Sequence, residues 1–168
     1  MVLVVLVIVA AGGFALYSGL DFFEDISGAD ASEEESLYRS ANLEPALAAL
    51  REEVGPRTRV DLKIEQRSLK ANASVRGRGD LLVVVTADGD VVDTSTGAGA
   101  EDAPRLRAVS ADAVEKIADA VVRRADIALE DIAYFSMDTS KRPEWNVYVD
   151  GGGVWAAGLD GSDVRRSQ

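Results

Sequence analysis

The sequence predicts an α+β protein in which an N-terminal transmembrane helix precedes two units, each a helix followed by an antiparallel sheet. Three observations predict this. Residues 1–20, "MVLVVLVIVAAGGFALYSGL", contain no charged side chain. An apolar stripe at helical spacing occurs twice, once before Gly55-Pro56 and once before Asp126. After each stripe come short segments with the period-two alternation of strands, separated by Gly- and Asp-rich turns.

The opening run is the predicted membrane anchor. Twenty helical residues at about 1.5 Å each span about 30 Å, the thickness of a bilayer's hydrocarbon core. Tyr17, Phe22 and Phe23 follow where aromatic rings favour the interface. A buried core helix would carry a polar face, and this run has none. A cleaved signal peptide, the competing reading, calls for an apolar region of about 7–15 residues behind a positive start, and neither is present. A long hydrophilic stretch after a first apolar segment favours export of the C-terminal part. Ala11, Ala15 and Gly19 fall at i, i+4 and i+8, a small-residue face that can support weak self-association.

Residues 21–36 read as an acidic, disordered stalk. Asp21, Glu24, Asp25, Asp30, Glu33, Glu34 and Glu35 are seven acids with no base among them. The net charge is −11, and removing those seven from 29 acids leaves 22 against 18 bases, about −4. For an acidic chain with a near-balanced body no nucleic-acid partner is expected.

The first unit is expected over residues 37–95. Leu43, Ala46, Leu47, Leu50 and Val54 form one helical face, Asn42 is the expected N-cap, and Gly55-Pro56 stops the helix. "VDLKI" and "LKANASV" alternate as strands, and "DLLVVVTADGDVVDTS" reads as a hairpin turning at Asp88-Gly89. The continuous apolar run Leu81 to Val85 suggests a strand covered on both faces. Residues 96–109 are the linker. The second unit, 110–168, opens with a helix capped by Ser110. Its buried stripe is Val114, Ile117, Ala118, Val121 and Val122, with Asp112 and Glu115 near its positive end and Arg123 and Arg124 near its negative end. Strands are expected at about Asp131–Met137, Trp145–Val149 and Val154–Leu159.

The segments "SADAVEKIADAVVRRA", "LEDIAYFSMD" and "WNVYVDGGGVWAAGLDGSDVRR" together resemble the PepSY family of small α+β modules. The paired halves, about Leu37 to Arg166, resemble the tandem repeat of β-lactamase-inhibitor-like proteins and of membrane-anchored actinobacterial proteins. The resemblance implies an extracytoplasmic, non-catalytic binding or inhibitory module. It supplies no catalytic residue.

The chain has no histidine and no cysteine. This removes Ser-His-Asp and Cys-His catalysis, thiolate chemistry, disulfides and the usual Cys/His zinc sites. No cofactor or metal is expected. "DGGGVW" lies between two strands, and a phosphate loop would need a helix to start directly after it, so the glycines read as a hairpin turn. "ADGDVVD" lacks the ligand spacing of an EF-hand loop. Arg78-Gly79-Asp80 is an adhesion tripeptide and Asn72 a glycosylation acceptor in pattern only, each in or beside a strand.

Aromatic residues concentrate in the second unit, and Trp145, Tyr148 and Trp155 are the candidate partner-binding residues, with alternation sending Trp145 and Tyr148 to opposite faces. The expected function is to bind or regulate another envelope protein without catalysis. The alternative is a structural subunit of a membrane or filament assembly, packed through the apolar N-terminal helix. A hydrolase using carboxylates or a Ser-Lys pair is the third reading.

Overall fold

The structure, a computed structural model, describes residues 35–139 and 142–167. The expected transmembrane helix, the Ala11/Ala15/Gly19 face and the stalk up to residue 34 lie outside the described residues. Among the described residues no helix is long and apolar enough to cross a membrane.

Each half begins with a fifteen-residue helix, α1 (Ser40–Val54) and α2 (Ala111–Ala125). After α1 come β1 (Arg59–Ile64), β2 (Ser68–Val75), β3 (Gly79–Thr86) and β4 (Val91–Thr96). After α2 come β5 (Ile132–Asp138), β6 (Glu144–Val149), β7 (Gly153–Gly158) and the two-residue β8 (Arg165–Arg166). The two antiparallel meanders join through their first strands into one eight-stranded sheet, ordered β4-β3-β2-β1-β5-β6-β7-β8. The β1–β5 seam is antiparallel and short, pairing Lys63 with Ser136 and Ile64 with Phe135.

Both helices cover the same side of the sheet. Inward positions of the strands, among them Leu62, Ile64, Phe135, Trp145 and Val147, form one core with Leu47 and Leu50 of α1 and Ile117 and Val121 of α2. Val84 and Ala156 are buried on the opposite side and stand outside that core. Among the described residues no helix covers this opposite side, an arrangement common in antiparallel sheets. In the run Leu81 to Val85 the expected two-sided burial holds for Val83, Val84 and Val85, although among the described residues helix covers one face only.

Two details depart from the sequence reading. The N-cap of α1 is Arg39, not Asn42. The Ser40 amide donates to Glu115 Oε2 of α2 at 3.1 Å, so a distant carboxylate satisfies the helix start and no local cap is required. Asn42 sits in the first turn and donates its Nδ2 to the Ser36 carbonyl at 3.0 Å. Ser36 itself is buried, so the fold takes in the last residue assigned to the stalk. Ser110 does stand at the N-cap of α2, although its side chain makes no capping bond.

The segment between the halves is held against the sheet. The amides of Ala98 and Ala100 donate to Asn72 Oδ1 (3.2 Å) and Ser74 Oγ (3.0 Å). Asn72 and Ser74 alternate with the inward Ala71 and Ala73, so residues 97–104 cross the face opposite the helices. The Val60 amide then donates to the Pro104 carbonyl, and Leu106 turns back into the core. The glycine triplet is a hairpin turn between β6 and β7, with positive φ at Gly151 (65°) and Gly153 (91°).

Candidate functional site

Trp145 and Trp155 point into the helix–sheet core, Trp145 fully buried and Trp155 8 % exposed. Neither indole Nε1 has a hydrogen-bond partner among the described residues. Trp145 meets Phe135 edge-on, with centroids 6.1 Å apart. Tyr148 lies on the other face, half-buried, and stacks on Tyr134 at 4.3 Å with an interplanar angle of 21°. The predicted trio is therefore divided by the sheet, and Tyr148 acquires a partner outside the trio.

A bulge creates that partnership. Ile132 pairs with Val149 and faces the core, so strict alternation would send Tyr134 inward as well. The register slips by one residue between Ile132 and Tyr134. Beyond the slip Tyr134 faces outward opposite Tyr148, and Phe135 enters the core. The Tyr38 hydroxyl sits against the slip, 3.1 Å from the Ile132 carbonyl and 2.9 Å from that of Ala133. Burial above all, and then the carboxylates of Glu65 and Asp150, push the Tyr38 phenol far above its usual pKa, so it stays a donor. The sequence signals for this arrangement are faint: a tyrosine before α1, and an aromatic pair that alternation alone assigns to the wrong faces.

Beside the tyrosines, Lys63 Nζ lies 4.3 Å from the Tyr134 ring centroid. It also pairs with Glu65 Oε1 at 2.6 Å, while Lys70 pairs with Glu65 Oε2 at 2.8 Å and Ser68 Oγ donates to the same oxygen at 2.8 Å. Burial raises the Glu65 pKa, but the hydrogen bonds from Lys63, Lys70 and Ser68 outweigh it, and the carboxyl rests below its ordinary value. Ser136 and Asn146, paired across β5 and β6 on this face, make no side-chain hydrogen bond among the described residues. Tyr134 and Tyr148 thus form an aromatic patch with the Lys63 ammonium and two polar side chains, Ser136 and Asn146, beside it.

Elsewhere the groups are tied internally. The Arg78 guanidinium bonds Glu53 at 2.7 Å, and Asp80 accepts from Ser74 at 2.7 Å, so both charged ends of the Arg-Gly-Asp tripeptide are engaged. The Asn72 side chain lies under the 97–104 segment. Asp61 lies below that segment too, and burial raises its pKa. An open depression of about 1040 Å³ mixes Arg124, Arg142 and Arg165 with Asp138, Glu144 and Asp163. Within it Arg165 pairs with Glu144 at 2.7 Å, and Arg124 donates to the Val164 carbonyl. Among the described residues no three Asp or Glu side chains converge as a metal site.

No protein-family model, curated protein or solved structure matches the chain.

Proposed function

We propose that this protein is a membrane-anchored, extracytoplasmic module that binds or regulates another envelope protein without catalysis. Its contact surface would be the part of the outer sheet face around Tyr134 and Tyr148. The stacked tyrosine pair is the observation that supports this reading. Two large aromatic rings held side by side outside the core offer apolar area at little further entropic cost, and tyrosine is enriched among interface hot spots. Lys63, Ser136 and Asn146 supply polar recognition at the edge of the patch. The uncharged run at residues 1–20 supports the anchor.

The hydrolase reading has little chemical support. Among the described residues, Ser68 with Glu65 and two lysines is a grouping of the kind it would need. Ser68 is buried, and a carboxylate held below its ordinary pKa by two ammonium groups is a weak base.

The test is affinity purification of the full chain from detergent-solubilised membranes, with thermal unfolding measured in parallel. Tyr148→Ala and Tyr134→Ala are expected to melt near the wild type and to lose a stoichiometric partner that the wild type retains. Retention of that partner by both variants would move the contact surface elsewhere.

A further inference from the structure

The two edges of the sheet are built differently. At one end β8 is two arginines long, and shortness and charge are both devices that discourage edge pairing. At the other end β4 is six residues, "VVDTST", with no Lys, Arg or Pro. Val91 and Val92 in β4 are the exposed large hydrophobic residues of the described chain, at 40 % and 41 %. A bulge opposite Val84/Val85 disturbs only the start of the strand, so Asp93–Thr96 stays regular.

The backbone of β4 presents a usable ladder. The Gly97 amide donates to the Asp80 carbonyl at 3.1 Å. Hydrogen-bonded pairs alternate along an antiparallel ladder, so Ser95 and Asp93 bond inward to β3, while the N–H and C=O groups of Thr94 and Thr96 point outward. The segment is also self-complementary. Two copies related by a two-fold axis at Thr94 place Thr94 against Thr94, Val92 against Thr96, and each Asp93 against a Ser95. The single charge of the strand then meets a hydroxyl instead of its own copy, and threonine pairs are favourable across strands.

We infer that β4 is a homodimerisation edge, pairing antiparallel with β4 of a second copy to continue the sheet across both molecules. This edge is independent of the tyrosine surface on the sheet face.

The test uses the full chain in detergent micelles. Sedimentation over a concentration series should show a dimer, and Thr94→Cys should form a covalent dimer on mild oxidation, unambiguous in a chain without native cysteine. Thr94→Pro removes only an outward amide, so it should keep the wild-type melting temperature and sediment as a monomer. Thr96→Lys, which asks nothing of the backbone, should give the same dissociation if the proline variant unfolds. A monomer at every concentration overturns the inference. So does a dimer that neither substitution disturbs, since that would locate self-association away from β4, for example at Ala11, Ala15 and Gly19.

Discussion

The Tyr38 hydroxyl lies 2.9 Å from the carbonyl of Ala133, ninety-five residues later in the chain. A residue ahead of the first helix thereby holds the bulge in the first strand of the second half, and that bulge turns Tyr134 outward to meet Tyr148. The fold and the candidate contact surface share this hydrogen bond.

Tyr38→Phe removes the donor and leaves the buried Ile132 carbonyl and the half-buried Ala133 carbonyl with one fewer partner. The expected loss is about 1–2 kcal/mol, read from denaturant midpoints. It should also loosen the Tyr134–Tyr148 stack, visible as a change in near-ultraviolet circular dichroism. Unchanged stability together with an unchanged tyrosine signal would show that the bulge needs no pin.

Trp145→Ala and Tyr148→Ala should separate sharply in thermal unfolding. The tryptophan is core and its truncation should cost about 3–5 kcal/mol. The tyrosine lies half-buried on the face opposite the helices and should cost roughly 1 kcal/mol. Similar losses for both would mean that the face is covered in the native protein.

Glu65 has a folded pKa below its unfolded value, so the unfolded chain binds more protons in the acid range. Its stabilisation is present above the ordinary carboxylate pKa and is lost as pH falls through the folded value. Glu65→Gln should therefore be less stable than the wild type at pH 7, with the difference shrinking as the pH is lowered below about 4. A difference independent of pH would assign the effect to packing.

Asp61 runs the other way. Burial raises its pKa, so the folded chain binds more protons than the unfolded chain just above the ordinary aspartate value, and stability falls as pH rises through that window. Asp61→Asn should be more stable than the wild type at pH 7, by less than about 1 kcal/mol because the group keeps solvent contact. A destabilised variant would point to a cation partner for Asp61 in solution.

Gly97→Ala tests the segment crossing the sheet. A Cβ there would sit 2.4 Å from backbone atoms of Leu81 and Leu82, so the chain must shift. Overpacking of this kind costs about 1–3 kcal/mol. Hydrogen exchange at Ala98 and Ala100 should quicken, since their amides bond to Asn72 and Ser74 through this crossing.

Local pattern was enough to find both helices and seven strands. The stripe Leu43–Val54, the stripe Val114–Val121 and the alternation of Val60, Leu62 and Ile64 each follow from one element burying one face. Alternation by itself also sends Trp145 and Tyr148 to opposite sides of the sheet, where the structure has them. Tertiary structure decided what depends on residues far apart. β8 is too short to carry a period and exists because Arg165 and Arg166 find Ala156 and Trp155. The cap of α1 comes from Glu115, so no local residue announces it. The joining of the two meanders rests on two residue pairs at the β1–β5 seam, which neither strand's sequence specifies alone. The outward face of Tyr134 depends on a one-residue slip, and a slip in a ladder is a property of two strands and of the hydroxyl beside them. Periodicity reports the environment of an element along its own length; register, caps and seams are pairwise, and only the folded chain brings the pairs together.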